Sequence, residues 1–195
     1  MNILMHVCCG PCLMYPLKRL TEKGHKITGF WYNPNIHPYT EYQNRLEAVK
    51  YAEWAKGFPI IYENSYDLEE YLKAVFPHIS DSCRFCYQLR LERTARVAKE
   101  KEFEAFSTTL LVSPTQKHEL INEIGEELAR KYEVEFFYED LRPGYYEGRA
   151  MAKELNLYRQ KYCGCIFSEK ERYCEKKGSY PVWREKGLKI PEEDD

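Results

Sequence analysis

Short apolar and aromatic stretches alternate with longer helical stretches along this chain of 195 residues. The apolar stretches are rich in β-branched and aromatic residues and end at Gly, Pro or Asn, which is typical of strands. The sequence predicts strands at 3–7, 26–32, 59–63, 105–112 and 134–138, and helices at 12–22, 42–56, 67–76, 87–101, 118–131 and 146–154. Strands separated by helices form parallel βαβ units. We therefore expect an α/β fold, a Rossmann-like parallel sheet with helices on both faces.

Cysteine is the residue type most informative about function. The eight cysteines form three clusters and one separate residue: Cys8, Cys9 and Cys12; Cys83 and Cys86; Cys163 and Cys165; and Cys174. The first cluster follows the first predicted strand, where α/β folds place their ligands. Thiolates select zinc, copper(I) or iron–sulfur clusters. Packing as a small apolar residue is the alternative; it suits Cys174 but not the three clusters.

The first two clusters together predict a metal centre. Cys83 and Cys86 are about one helical turn apart, so both sulfurs can reach one centre. Cys8 and Cys9 complete four ligands. Side chains of adjacent residues in an extended chain diverge, which disfavours chelation of one zinc ion, whereas a cubane offers separate iron corners. The pattern favours an iron–sulfur cluster over structural zinc, with Cys12 as an alternative ligand or a ligand of a second metal.

The Cys163-Gly164-Cys165 segment predicts a different chemistry. Glycine permits the tight turn that would bring the two sulfurs together. A disulfide closing so small a ring is strained and easily reduced, as in labile redox disulfides. A reversible dithiol is therefore favoured, and ordinary packing or metal binding are the alternatives.

Several classes of protein lack support in the sequence. No secretory signal and no apolar stretch of about 20 residues is found, so we expect a cytoplasmic protein with reduced thiols and no membrane partner. There is no GxGxxG after the first strand and no Walker motif, so ATP and NAD have no local support. The net charge of −2 means that a nucleic-acid partner must meet a local basic patch.

Candidate polar residues lie around the cysteines. Arg90 and Arg93 follow Cys86 on the same helical face, where they would tune the charge of a cluster or hold a phosphate. A basic, aromatic segment at 158–162 precedes the third cluster and indicates phosphate binding, with a solvated helical face as the alternative. Four further cations follow it: Lys170, Arg172, Lys176 and Lys177. His6 and Asp81 flank the first two clusters, but a core histidine and a turn aspartate are favoured over metal ligands.

Five segments in this order resemble the epoxyqueuosine reductases of the QueH family: CCGPC, FWYNPNIHPYTEYQNR, SCRFCYQLRLERTA, FSTTLLVSPTQ and YCGCIFS. The resemblance covers roughly residues 1 to 175. It implies a fold like that of PP-loop/HUP nucleotide-binding proteins, with CCGPC at the place of the phosphate loop. We expect one α/β catalytic domain at 1–178, carrying the iron–sulfur site, and a C-terminal tail at 179–195.

The resemblance also implies an activity and its site. Family members reduce epoxyqueuosine to queuosine at the wobble position of tRNA, the last step of queuosine biosynthesis. The implied ligands of a 4Fe-4S cluster are Cys8, Cys9, Cys83 and Cys86. The implied redox-active catalytic pair is Cys163 and Cys165. An adjacent mononuclear iron or zinc is expected as well, with Cys12, Asp81, Cys163 and Cys165 as candidate ligands.

The implied partner is the anticodon loop of a tRNA carrying epoxyqueuosine, and the sequence does not identify the electron donor. Trp31 and Tyr32 are candidates for stacking on the unpaired base, with core packing as the alternative. Two other functions compete. A thiol–disulfide oxidoreductase acting through Cys163 and Cys165 would work without iron and ignore RNA. A non-catalytic, zinc-stabilised RNA-binding module would bind tRNA without a redox spectrum.

Overall fold

A five-stranded parallel sheet forms the centre of the computed structural model, which describes residues 1–175. The strands are β1 Asn2–His6, β2 Lys26–Trp31, β3 Ile60–Tyr62, β4 Ala105–Thr108 and β5 Glu135–Phe136. Their spatial order is β3-β2-β1-β4-β5, and every neighbouring pair is parallel. The chain moves outward from β1 in one direction and then returns to start β4 on the other side. The predicted doubly wound topology is therefore confirmed, with its switch point between β1 and β4.

Helices connect these strands. They are α1 Gly10–Glu22, α2 Tyr39–Lys56, α3 Leu68–Val75, α4 Ser82–Glu100, α5 His118–Tyr132, α6 Tyr145–Glu154 and α7 Ile166–Lys170. Short 3-10 segments occupy Phe76–Asp81, Thr109–Val112 and Arg142–Gly144, and Glu171–Glu175 is π-helical. No helix within residues 1–175 is long and apolar enough to cross a membrane. The predicted boundary between 178 and 179 lies outside the described residues, as do Lys176 and Lys177.

Alternate residues of the central strand face opposite layers, as the strand period requires. Ile3 and Met5 belong to a buried cluster with Leu20 of α1. Leu4 belongs to a cluster that includes Leu91 of α4 together with residues of α5. Helices therefore cover both faces, with α4 and α5 on one side and α1 on the other.

The strand predicted at 105–112 is only half as long as expected. β4 ends at Thr108, whose hydroxyl accepts a hydrogen bond from the amide of Leu110 at 3.2 Å. This side-chain cap offers the backbone an alternative to the sheet ladder. The residues Thr109–Val112 therefore form a buried 3-10 turn across the end of the sheet instead of continuing the strand.

The fourth helix begins earlier than the predicted 87–101. α4 starts at Ser82, so Cys83 and Cys86 lie in its first two turns and not in a preceding loop. The two residues are consequently fixed by helix geometry relative to the sheet that α4 covers.

Close packing between α5 and β5 leads to a stability prediction. A Cβ atom at Gly125 would lie 2.2 Å from Cδ1 of Phe136 and would overlap its ring. Although alanine is the better helix former, we expect Gly125→Ala to lower the free energy of unfolding by about 1–3 kcal/mol through overpacking. The exposed neighbour Glu126 provides a control on the same helix: Glu126→Ala should change it by less than about 0.5 kcal/mol. Urea denaturation measures both, and a stabilised Gly125→Ala would contradict the packing.

Candidate functional site

The candidate site lies at the carboxyl edge of the sheet, beside the switch point. The chain leaves β1 at His6 and enters α1 at Gly10, so the Cys8–Cys9 link between them is short. The amide of Cys8 donates a hydrogen bond to the hydroxyl of Thr109 at 3.0 Å, and that hydroxyl donates to the Cys8 sulfur at 3.2 Å. The 3-10 turn after β4 therefore holds the first cysteine of the cluster in place.

The three sulfurs of the first cluster lie close together. Cys9 is the N-cap of α1, and its sulfur accepts a hydrogen bond from the amide of Cys12 at 3.3 Å. The Cys8 and Cys9 sulfurs are 3.8 Å apart. All three sulfurs lie within 4.8 Å of one another, and no other group of three His, Cys, Asp or Glu residues in the described part of the chain is arranged in this way.

The spacing corrects one argument from the sequence. We expected the side chains of the adjacent Cys8 and Cys9 to diverge, but the turn into α1 brings their sulfurs together. Tetrahedral zinc–thiolate bonds of about 2.3 Å place two ligand sulfurs about 3.8 Å apart. Adjacency of the two cysteines therefore gives no argument against a single bound metal ion.

Hydrogen bonding and burial divide the protons among these thiols. Hydrogen bonds from Cys12 and Cys9 lower the pKa of Cys8 well below its ordinary value. Burial raises the pKa of Cys9, and the hydrogen bond with Cys8 raises the pKa of Cys12. The cluster thus favours one thiolate that is hydrogen-bonded by two thiols, and a thiolate is the form that binds metal.

The second cluster is held by α4. Cys86 is buried and Cys83 is exposed. Burial raises the pKa of Cys86 to about 12, and negative charge on Cys163 and Cys165 contributes in the same direction. The second and third clusters are therefore close enough to interact electrostatically, although neither joins the compact sulfur group of the first cluster.

Arg90 is a buried cation beside the second cluster. It is 1 % exposed, and its Nε donates to the carbonyl of Cys86 at 3.1 Å. Burial alone would lower its pKa, but negative charge on Cys86, Cys163 and Cys8 raises it. Within residues 1–175 its Nη2 has no hydrogen-bond partner, and no carboxylate forms an ion pair with it. A buried cation needs an anion nearby. The Cys8 thiolate can supply one negative charge, whereas Cys86, with its raised pKa, would supply another when a metal displaces its proton. The site therefore fits an anionic, thiolate-bound metal centre.

The third cluster is anchored to α2 by Arg45. Its Nη1 donates to the carbonyl of Cys163 at 2.7 Å, and its Nη2 donates to the carbonyl of Tyr162 at 3.0 Å. Its Nε donates to Glu41 at 2.7 Å, forming a buried ion pair. Gly164 has a φ of +136°, and a Cβ there would lie 3.0 Å from Nη1 of Arg45. The predicted need for glycine in this turn is confirmed.

Both sulfurs of the third cluster are free thiols. The amide nitrogen of the Gln116 side chain lies 3.5 Å from the Cys163 sulfur. The Cys165 sulfur accepts a hydrogen bond from the amide of Ser168 at 3.4 Å as the N-cap of α7. Both thiols thus sit in defined surroundings.

One contact of the first cluster had no signal in the sequence. The side-chain amide of Gln160 donates to the Cys9 sulfur at 2.9 Å and to the Cys12 sulfur at 3.6 Å. Gln160 precedes the third cluster in the chain but reaches the first. A glutamine is not a usual metal ligand for thiolate sites, so residue type gave no indication of this role.

Three other expectations from the sequence have clear outcomes. His6 is buried and hydrogen-bonded to Thr108 at 3.0 Å, and burial lowers its pKa to about 3, so it is the favoured neutral core histidine. Asp81 is exposed and lies 3.5 Å from Nε of Arg84, as an ordinary polar residue at the start of α4. Cys174 is exposed, so the expectation that it packs in the core is wrong.

The stacking candidate Trp31 does not belong to the site. Trp31 is fully buried and donates to the hydroxyl of Tyr42 at 3.1 Å, so the alternative of core packing is the one observed. Tyr32 is partly buried and stays a stacking candidate. Arg93 forms an ion pair with Glu63 at 2.7 Å, and its expected role beside a cluster stays a prediction.

Comparisons with known proteins agree with this architecture. The sequence profile of a family described as epoxyqueuosine reductase QueH matches residues 3–171. The chain is 44% identical over 172 residues to the epoxyqueuosine reductase QueH of Dehalococcoides mccartyi, covering 88% of this chain and 94% of that protein. It is 40% identical over 182 residues to the protein of the same name from Thermotoga maritima, covering 88% and 92%.

A solved structure shares the fold. The U34-tRNA thiolase NcsA from Methanococcus maripaludis, determined with its 4Fe-4S cluster, superposes with a TM-score of 0.56 at 17% identity, covering 86% of this chain and 61% of that one. This similarity confirms the expected α/β fold.

The Arg45–Glu41 pair generates a prediction about stability. Arg45→Met should lower the free energy of unfolding by about 3–5 kcal/mol, because it leaves Glu41 as an unpaired buried charge. Replacing both residues by methionine should recover much of that loss. The exposed pair Lys50–Glu47 is the control, and Lys50→Met should cost less than about 1 kcal/mol. Equal, small losses for Arg45→Met and Lys50→Met in urea denaturation would contradict this assignment.

Proposed function

The chain belongs to the epoxyqueuosine reductase QueH family, and we propose that its three cysteine clusters act together as one metal and redox site. The protein is an oxidoreductase that reduces epoxyqueuosine to queuosine in tRNA. The proposed ligands of a 4Fe-4S cluster are Cys8, Cys9, Cys83 and Cys86. The proposed redox-active pair is Cys163 and Cys165.

The observation that carries this proposal is a set of side-chain contacts that join the three clusters. The side-chain amide of Gln160, three residues before Cys163, donates to the Cys9 sulfur at 2.9 Å. The side-chain nitrogen of Gln116 lies 3.5 Å from the Cys163 sulfur, and its carbonyl oxygen accepts a hydrogen bond from Tyr87, the residue after Cys86, at 2.8 Å. These contacts support a single centre.

The stoichiometry of the reaction suits the third cluster. Conversion of an epoxide to an alkene breaks both bonds from carbon to the epoxide oxygen. It consumes two electrons and two protons and releases water. Oxidation of the Cys163 and Cys165 thiols to a disulfide releases two electrons and two protons, which balances one turnover. An external reductant, either a dithiol or a one-electron carrier, then regenerates the thiols.

The metal centre complements this two-electron store. When bound, a 4Fe-4S cluster supplies single-electron transfer at a potential set by its charge, hydrogen bonds and exposure. Arg90 and the amide of Gln160 would hold negative charge on the sulfurs of this centre. Cys12 is the strongest candidate ligand for an adjacent mononuclear iron or zinc, since its sulfur already lies within 4.8 Å of those of Cys8 and Cys9.

The proposed substrate is the anticodon loop of tRNA. Its unpaired bases can be turned outward, as sequence-specific RNA recognition generally requires. The reacting base would approach the carboxyl edge of the sheet, where Cys163 is exposed.

Metal analysis tests the cluster. Protein purified without oxygen should contain about four iron and four sulfide per chain and should bleach with dithionite. Cys83→Ser and Cys86→Ser should each lose most of the iron and sulfide, while Cys174→Ser, at an exposed cysteine outside the site, should keep both. Zinc without sulfide in wild-type protein never exposed to oxygen would exclude the cluster and favour the zinc-stabilised RNA-binding module.

Substitution of the dithiol tests the redox pair. Cys163→Ser and Cys165→Ser should keep the iron content but lower turnover by at least about 100-fold, which is the scale expected when a covalent catalytic group is removed. Turnover is measured by mass spectrometry of tRNA nucleosides. Wild-type turnover in both variants would remove the dithiol from the mechanism. Disulfide exchange with protein substrates by iron-free protein, together with no turnover of tRNA, would instead favour a thiol–disulfide oxidoreductase.

A further inference from the structure

A short segment crosses the cysteine site between α6 and α7, and we name residues 158–164 the strap. Three of its side chains are held by hydrogen bonds to other parts of the chain. The hydroxyl of Tyr158 donates to Glu41, the amide of Gln160 donates to the Cys9 sulfur at 2.9 Å, and the hydroxyl of Tyr162 donates to the carbonyl of His37 at 2.6 Å.

The backbone of the strap is also fixed at its far end. Arg45 donates to the carbonyls of Tyr162 and Cys163, and the amide of His37 donates to the carbonyl of Gly164 at 2.8 Å. The strap is therefore a preorganised element, and its orientation is set by buried contacts to α2 and to the first cysteine cluster.

The two side chains between these residues have no such partners. Arg159 and Lys161 are exposed, and within the described chain neither forms an ion pair or a side-chain hydrogen bond. Each lies next to Gln160, which contacts the Cys9 sulfur. The strap thus presents two unpaired cations to solvent on either side of Gln160, the residue whose side chain contacts the first cluster.

We propose that Arg159 and Lys161 contact backbone phosphates of the tRNA strand that carries the reacting base, so that the strap guides this strand to the cysteine site. This inference rests on the proposed function, because a tRNA substrate supplies the phosphates. Two separate, exposed cations on a fixed segment suit a polyanion that lies along the strap. Contacts of this kind set position and register and carry no sequence information by themselves.

The direct test measures the binding of an RNA hairpin that contains an anticodon stem and loop. Fluorescence anisotropy gives its affinity at two salt concentrations. The charge-reversal variant R159E/K161E should bind at least about 10-fold more weakly than wild type at 50 mM salt. Each phosphate contact to a single strand contributes about 0.7 to the slope of log K against log salt, so losing two contacts should reduce that slope by about 1.4.

A matched control exists at the other edge of the sheet. Lys26 is the first residue of β2, and Lys101 directly follows α4. Both are exposed, and no ion pair to either is found within residues 1–175. K26E/K101E changes the net charge by the same amount as R159E/K161E. At 150 mM salt, where distant exposed charges are screened, its hairpin affinity should stay within about twofold of wild type, while R159E/K161E measured at the same salt should still bind more weakly.

Two more variants separate charge from structure. R159K/K161R keeps both cations and should bind the hairpin as wild type does. R159Q/K161Q should lose less hairpin affinity than R159E/K161E and more than R159K/K161R, and its iron content should be unchanged. In turnover assays the loss in R159Q/K161Q should appear mainly as a higher KM for tRNA, which is the signature of lost positioning contacts.

The outcomes distinguish this inference from the proposed function. If wild-type protein fails to bind the hairpin and to act on tRNA, the proposed function itself is wrong. If wild type binds and R159E/K161E binds equally well with an unchanged salt slope, the tRNA is guided by another surface and the strap inference is wrong. An equal loss in K26E/K101E would also overturn it, because the effect would then reflect net charge alone.

Discussion

The buried guanidinium of Arg90 is the interaction on which the site depends. Burying a cation without a carboxylate costs several kcal/mol unless other groups compensate for its charge. Here the ionisable groups that raise its pKa are thiols from three distant parts of the sequence, Cys8, Cys86 and Cys163. Since burial raises the pKa of Cys86, the charge of Arg90 would be fully compensated when a metal binds these sulfurs as thiolates. Such compensation also accounts for a fully buried arginine whose Nη2 has no hydrogen-bond partner within the described chain.

Sheet topology brings these sulfurs to one place. Strand order reverses between β1 and β4, so the loops after both strands meet at the carboxyl edge. Thr109, just after β4, bonds both the amide and the sulfur of Cys8. The early start of α4 then fixes Cys83 and Cys86 over the same edge. Thiols line this edge because CCGPC follows β1.

Sequence patterns were sufficient for those features that depend on local chemistry. The strand and helix alternation predicted the parallel sheet, and Gly164 was assigned a special turn that its φ of +136° confirms. The predicted strand at 105–112 was too long because the hydroxyl of Thr108 caps the backbone at the amide of Leu110. Apolar composition does not reveal that a side chain will compete with the hydrogen bonds of the sheet. Trp31 failed as a stacking residue because hydrophobic pattern alone does not distinguish a buried aromatic from one lining a cleft.

Long-range contacts were beyond sequence reasoning for a different reason. Arg45 and the carbonyl of Cys163 are 118 positions apart, and Gln160 reaches Cys9 over 151 positions. Such contacts depend on how α2, α6 and α7 are placed around the sheet, and no residue-type rule encodes them. The ligand arrangement of the cysteines, by contrast, could be proposed from spacing because cysteine chemistry is so restricted.

The distribution of charge reconciles a net charge of −2 with an RNA substrate. Many surface cations are neutralised by carboxylates, for example Lys18 by Glu147 and Arg84 by Glu123. Such pairs contribute little stability, but they reduce the positive potential of the surfaces where they lie. A polyanion is then attracted mainly to cations that lack carboxylate partners. Arg159 and Lys161 are two such cations on the strap. Under our proposal they would direct RNA to the carboxyl edge of the sheet even though the net charge of the protein is slightly negative.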